Sequence, residues 1–196
     1  MPRIKLSPEF KEAISDLSHK EKDKLLFRLL AKEPALVEQL TFQLLEDGIS
    51  MEDRRDELKE HIHNHLYQYQ RVYYSPGYLM MELRELSGQI SRHVKATKDK
   101  YGEIQLNFLM LNLALELFHQ QIDTARPHKA KTLNEYVVKR ALKLKDLLKK
   151  LHEDQHMDFW GDIEALGKNI RKIDSMTKTA KNLGAHPDLW GDGKVL

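Results

Sequence analysis

Apolar residues recur along this chain three and four positions apart, which is the spacing of an amphipathic α-helix. One such stripe runs through Leu58, Ile62, Leu66 and Tyr69. No run of alternating β-branched residues is long enough to predict a strand. We therefore expect an all-α protein of about eight helices, built either as a multi-helix bundle or as a short stack of antiparallel helix pairs that resembles an α-solenoid.

Capping residues divide the N-terminal part of the chain into three short predicted helices. Ser7 precedes Pro8, so a capping hydroxyl stands before a proline at the first helical position. Ser18 and Glu21 form a capping-box pattern for the second helix. Pro34 starts the third.

Longer helices follow, separated by short breaks that contain serine, proline or glycine. We expect residues 1–184 to form a single helical domain and residues 185–196 to leave it as an extended C-terminal tail. The last helix should end near Leu183. The predicted starts of the longer helices are Ser50, Ser75, Glu103, Thr132 and Asp158.

The segment between Ile104 and Ile122 is apolar on most of its circumference. A helix with only one narrow polar edge has neighbours on nearly every side. The pattern therefore predicts that this helix lies at the centre of the fold.

Composition limits the class of protein. The chain has 196 residues, no cysteine and 32% charged residues. It has no apolar stretch near the roughly 18 residues that a membrane span needs, and its N-terminal residues lack the apolar core of a secretory signal. We expect a cytoplasmic protein without a membrane segment or a disulfide framework.

Charge is distributed unevenly along the chain. Residues 1–90 carry a net charge of −3 and residues 91–196 a net charge of +5, and the segment 126–150 alone carries +7. A basic helix can contact phosphates, so nucleic-acid binding is one alternative function. No helix-turn-helix, RNP or zinc-finger pattern accompanies it. The basic surface is formed by Lys139, Arg140, Lys143, Lys149 and Lys150.

A short motif occurs twice near the C-terminus. The segment 156–162 reads HMDFWGD and the segment 186–192 reads HPDLWGD, with five identical positions. The two copies contain the only tryptophans of the chain. Tryptophan offers a large anchoring surface, and glycine beside aspartate favours a tight turn. We interpret Trp160, Asp162, Trp190 and Asp192 as candidate partner-docking residues, although packing of each Trp onto its own helices is also possible.

Polar residues line one edge of the central predicted helix. Gln105, Asn112, Glu116, His119 and Asp123 fall within about 60° of arc. Asn112, Glu116 and His119 could form the polar wall of a ligand pocket, with the last two as an acid–base pair. The same pattern is expected if this edge of the helix faces solvent and has no binding role, and we favour this simpler interpretation.

Arrangements typical of metal sites occur but are incomplete. Glu60 and His63 match the Glu-x-x-His pattern of ferritin-like di-iron bundles, but the apolar stripe turns them away from the core. His61 and His65 offer only two zinc ligands. Glu57 and Glu60 are similar to the first half of the magnesium site of helical nucleoside-triphosphate pyrophosphohydrolases, whose second Glu-x-x-Asp half is missing. The sequence therefore predicts no metal site and no cofactor.

Tyrosines concentrate around a predicted helix break at Ser75. Their rings could stack on a ligand or anchor a partner, but packing at a helix corner is the favoured interpretation. The cluster consists of Tyr67, Tyr69, Tyr73, Tyr74 and Tyr78.

Together these patterns favour a non-enzymatic helical interaction or scaffold protein that binds a protein partner or a second copy of itself. The alternatives are a ligand-binding protein or hydrolase with a site around Glu116 and His119, and a nucleic-acid-binding protein that uses the basic helix at 126–150. The sequence contains no complete catalytic set, so it leaves open whether the chain is an enzyme.

Overall fold

A computed structural model of the chain describes residues 4–46 and 51–185. These residues form nine α-helices and two short 3₁₀ turns, with no strand among them, which confirms the all-α prediction. The 3₁₀ turns, Glu153–Gln155 and Met157–Phe159, connect α7 to α8. The helices are α1 (Pro8–Ser15), α2 (His19–Leu30), α3 (Pro34–Leu44), α4 (Met51–Arg71), α5 (Pro76–Thr97), α6 (Lys100–Asp123), α7 (Pro127–Leu148), α8 (Trp160–Arg171) and α9 (Asp174–Asn182).

Side-chain caps start several helices where the sequence predicts them. The Ser7 hydroxyl accepts a hydrogen bond from the backbone N–H of Phe10 at the start of α1. At α2, Ser18 and Glu21 each accept a hydrogen bond from the other's backbone N–H, which is a complete capping box. Ser75 caps α5. The predicted cap at Ser50 lies outside the described residues.

Three predicted boundaries are wrong. Helix α7 begins at Pro127 rather than at Thr132, because a proline at the first helical position is already set for the helix. Helix α6 begins at Lys100, before the predicted start at Glu103. The predicted last helix is two helices, because the backbone at Ile173 is extended and ends the run between α8 and α9.

Helix α6 lies at the centre of the bundle, as predicted. It packs against α4, α5, α7 and α8. Leu106, Met110, Leu111, Phe118 and Ile122 are fully buried along its length. Around this core, α5 also packs against α3 and α7, and α7 packs against α9. Helices α4 to α9 therefore form a multi-helix bundle around α6, and α3 packs on it through α5.

The C-terminal end of the described chain still packs on this core. Ala185 is buried and its N–H donates to the carbonyl oxygen of Ala180. Residues 186–196 lie outside the described part of the chain, so the extended tail stays a prediction. No helix within the described ranges is both long enough and apolar enough to cross a membrane.

The tyrosine cluster is divided between the core and the surface. Tyr69 and Tyr73 pack against Phe118, with ring centroids 5.7 and 5.3 Å away. Tyr74 and Tyr78 contact each other edge to face and are exposed, and Tyr67 is also exposed. The predicted corner packing holds for two of the five rings.

We expect Tyr73→Phe to leave stability unchanged or to raise it by about 1 kcal/mol. The Tyr73 hydroxyl is buried without a hydrogen-bond partner among the described residues, and burial raises the pKa of Tyr73 to about 12. The substitution removes an unsatisfied polar group and keeps the ring on Phe118. Urea unfolding of the two proteins measures the difference, and a clear loss of stability would show that the hydroxyl has a partner after all.

Candidate functional surfaces

The first three helices expose an unusual number of large apolar side chains. We call residues 4–46 the N-terminal arm. Phe42 is the only buried residue on α1, α2 and α3. A soluble monomer rarely exposes contiguous apolar patches above a few hundred Å². The exposed apolar residues of the arm are Ile4, Leu6, Phe10, Ile14, Leu26, Phe27, Leu29, Leu36, Val37, Leu44 and Leu45.

Helix α3 joins the arm to the bundle by one face and leaves another face open. It packs against α5, and the Arg54 guanidinium of α4 lies 5.5 Å from the centre of the Phe42 ring. At about 100° per residue, Leu36, Val37 and Leu44 fall on the side opposite Phe42. Their exposure follows from this placement. The arm is therefore attached to the bundle through α3, while many of its apolar side chains remain exposed.

A charged cleft of about 670 Å³ lies between α3, α4 and α5. Arg54 crosses one end, where its guanidinium binds Glu46 through two contacts of 2.6 and 2.9 Å and lies 3.7 Å from Glu38. Hydrogen bonding to Glu46 raises the pKa of Arg54. Arg54 and Glu46 therefore form a close ion pair, and Glu38 adds a second carboxylate beside it. The other charged or polar lining residues are Asp53, Glu57, His61, Gln89, Arg92 and His93.

Behind this cleft, a buried carboxylate ties three helices together. Asp99 is 4% exposed and caps α6, where its side chain accepts a hydrogen bond of 2.8 Å from the Gly102 N–H. The same carboxylate accepts from Arg55 Nε of α4 at 2.8 Å and from His93 Nε2 of α5 at 3.3 Å. One side chain therefore links α4 and α5 to the first turn of the central helix.

The environment of Asp99 favours its ionised form. Burial raises the pKa of Asp99, but the hydrogen bonds from His93, from the Gly102 N–H and from Arg55 outweigh burial and hold the pKa below its ordinary value. Glycine is required at position 102, because a Cβ atom there would overlap the Asp99 carboxylate and crowd Arg55 Nε at 2.8 Å. The Asp-x-x-Gly spacing therefore belongs to the architecture of the bundle.

A basic groove of about 320 Å³ lies on α5 and α7. Arg84 of α5 lies over the ring of Tyr136, 6.0 Å from its centre, and the Tyr136 hydroxyl donates to the carbonyl oxygen of Leu83 at 3.1 Å. Arg140 Nε donates to Asn107 Oδ1 of α6 at 2.8 Å. The other lining residues are Thr132, Glu135, Lys139 and Lys143. Four basic side chains thus share a groove with one carboxylate.

The predicted basic surface is only partly in this groove. Lys139, Arg140 and Lys143 line it. Lys149 and Lys150 follow the end of α7 and are exposed outside it. Arg84 is not among the predicted basic residues, because no pattern along the chain shows that α5 lies beside α7.

The three candidate residues on the polar edge of α6 have different surroundings. Asn112 is buried, where its amide donates to the Asp162 carbonyl oxygen at 3.0 Å and its oxygen accepts from Asn169 at 3.4 Å. Asn112 therefore joins α6 to α8. Glu116 is exposed, and the His119 ring donates to the Glu116 carbonyl oxygen at 3.0 Å. The charged cleft and the basic groove contain none of these three residues, and the acid–base pair stays a prediction.

The first copy of the repeated motif is anchored by Phe159 rather than by Trp160. Phe159 is buried, with ring centroids 4.9 Å from Tyr101 and 6.0 Å from Phe108. Trp160 starts α8 and is 47% exposed. Burial raises the pKa of Asp162. The second copy, with Trp190 and Asp192, lies outside the described residues, so docking by either copy stays a prediction.

The histidine and carboxylate pairs on α4 make local contacts. His65 Nε2 lies 2.7 Å from Glu82 of α5, and both side chains are half-buried. His63 stacks on Tyr67. Within residues 4–46 and 51–185, no three histidine, aspartate or glutamate side chains converge as a metal site requires. This finding concerns the described residues alone.

Comparison with known proteins adds no relative. The chain matches no family model, no curated protein and no solved structure. Its function must therefore be argued from its own surfaces.

Proposed function

We propose that this chain is a helical interaction protein whose N-terminal arm binds an apolar surface of a protein partner. The exposed apolar side chains of α1, α2 and α3 carry the proposal. Association with a partner removes such surface from water, which favours binding by roughly 25 cal/mol per Å² before the costs of association. In this proposal the bundle around α6 supports the arm through the contact between α3 and α5.

The charge of the arm favours a protein surface over a lipid surface. Residues 4–46 carry seven basic and eight acidic residues. Amphipathic helices that lie on anionic membranes are typically rich in lysine and arginine on their polar face. Charges of both signs around apolar side chains are instead common at the rim of protein interfaces.

Helix α3 allows a direct test, because Leu36 and Val37 can be substituted without changing Phe42, which faces the bundle. Leu36→Glu together with Val37→Glu should strongly weaken partner binding while Phe42 stays packed beneath Arg54. The free energy of unfolding should change by about 1 kcal/mol or less, since two partly exposed positions contribute little to folding. Thermal unfolding checks this second expectation.

Binding can be followed by replacing Leu44 with the photo-cross-linking amino acid benzoylphenylalanine. The matched control has the same replacement at Lys181, an exposed residue of α9. We expect a discrete cross-linked partner from Leu44 that is absent from Lys181 and is lost in the Leu36/Val37 double variant. With the partner then purified, the double variant should bind at least roughly 30-fold more weakly by calorimetry, as loss of an interface anchor does.

Two results would count against the proposal. Equal cross-linking from Leu44 and Lys181 would mean that the arm has no specific partner. Cross-linking that survives the two glutamates would mean that the apolar face of α3 is not the contact surface. A cross-link to a second copy of the chain would identify self-association as the interaction, which sedimentation equilibrium measures directly.

A further inference from the structure

We propose that the basic groove between α5 and α7 binds the phosphate backbone of a nucleic-acid strand, with a phosphate held between Arg84 and Arg140. This inference does not depend on the proposed function of the arm. The groove brings together two arginines from different helices, two lysines and one half-buried tyrosine.

The two arginines are positioned before any ligand arrives. Arg140 is fixed by Asn107, which is itself buried and held by the 2.6 Å bond from its amide to the carbonyl oxygen of Glu103. Arg84 rests on the Tyr136 ring, whose hydroxyl is bonded to the α5 backbone. A guanidinium with one nitrogen in use keeps further N–H donors for a phosphate. Such positioning lowers the ordering cost of binding.

The lysines of the groove remain available to a ligand. Lys139 lies 3.4 Å from Glu135 and Lys143 lies 3.8 Å from Glu103, and the two lysine side chains are 62% and 56% exposed. Exposed ion pairs of this kind contribute about 0–1 kcal/mol. A phosphate can therefore compete with these carboxylates.

Positive charge continues along α7 beyond the groove, which favours a strand over an isolated phosphate group. At about 100° per residue, Lys129, Lys139 and Lys143 fall within roughly 60° of Tyr136. From Lys129 to Lys143 the stripe is about 21 Å long. The half-buried Tyr136 lies within this stripe. Aromatic side chains among basic residues are typical of surfaces that bind single strands.

Fluorescence anisotropy with a labelled single-stranded oligonucleotide of about 20 nucleotides, longer than one binding site, tests the proposal. Arg84→Gln with Arg140→Gln should weaken binding about tenfold or more, because two charge-assisted contacts are lost. The slope of log affinity against log salt should become shallower by about one. Arg84→Gln with Lys139→Gln is the second variant, since neither side chain supports the core and its fold should be intact by circular dichroism.

The matched control is Lys131→Gln with Lys149→Gln. It also removes two positive charges, one from α7 and one from the residue that follows its end. Both residues lie about 140° around the α7 axis from Tyr136. This control should bind within about twofold of the unmodified chain, apart from the general effect of net charge.

Three outcomes would overturn the proposal. One is no binding of the oligonucleotide at low salt, even where pyrophosphate binds the groove. Another is an equal loss of affinity in the groove variants and in the Lys131/Lys149 control, which would show attraction by net charge alone. The third is displacement of the oligonucleotide by polyaspartate of equal charge as readily as by an unlabelled strand, which would point to an acidic protein segment as the ligand.

Discussion

Asp99→Ala should lower the free energy of unfolding by roughly 3–5 kcal/mol, a large part of the 5–15 kcal/mol that stabilises a typical domain. The substitution leaves the Arg55 guanidinium and the His93 ring without their buried acceptor and removes the cap of α6. Because α6 is the centre of the bundle, its first turn positions both α4 and α5. Urea unfolding followed by circular dichroism measures the loss.

A matched control separates this network from a general effect of removing an aspartate. Asp56 of α4 pairs with Lys59 at 2.8 Å but is well exposed, so Asp56→Ala should change stability little. If both substitutions were equally mild, the buried ion pair at Asp99 would not stabilise the fold.

Asp99 should also affect how the free energy of unfolding changes with pH in the acid range. Its pKa in the folded chain is held below the ordinary value of an unfolded aspartate, near 3.9. The stabilisation is therefore fully present above about pH 4 and is lost as the pH falls through the lower, folded-state pKa. Asp99→Asn cannot ionise, so its stability should depend less on pH below about 4 than that of the unmodified chain.

The sequence predicts the core more reliably than the candidate surfaces. The buried positions of a helix can be found from the spacing of apolar residues within that helix alone. The apolar circumference of α6 shows from residues 104–122 alone that neighbours surround it. The caps at Ser7 and Ser18 are also local, since each involves a residue three positions away. These features follow from spacing along a single helix.

The candidate sites depend on contacts between helices that are distant in sequence. Arg84 and Arg140 share a groove only because α5 packs beside α7. Asp99 contacts Arg55 from 44 positions away, and the sequence pattern starts the central helix only at Glu103. An aspartate three residues before a glycine at a helix start is the local signal that could have identified the cap.

The exposed arm shows a different limit of the sequence pattern. An amphipathic helix predicts that one face avoids water, but periodicity does not say what covers that face. Leu36, Leu40 and Leu44 recur every four positions, a spacing that core residues of α5 also show, yet Leu36 and Leu44 are exposed. An apolar stripe can therefore face a bundle core or a binding partner. Only the contacts between helices show which of the two it faces.

In the first copy of the repeated motif, Phe159→Ala should cost about 3–5 kcal/mol of stability, as loss of a buried aromatic ring does. The ring fills the space between Tyr101 and Phe108 at the junction of the 3₁₀ turn with α8. Trp160→Ala should cost about 1 kcal/mol or less, because that side chain is half exposed at the start of α8. Thermal unfolding of the two variants side by side gives the comparison.

The order of these two effects decides how the motif should be interpreted. If Trp160→Ala were the more damaging, the tryptophan would be the structural anchor, packed onto its own helices rather than available for docking. With Phe159 as the anchor, the exposed Trp160 is free to contact a partner. Alignment of the two copies places Leu189 at the position of Phe159 and Trp190 at that of Trp160. We therefore expect Leu189→Ala to lower the free energy of unfolding more than Trp190→Ala does.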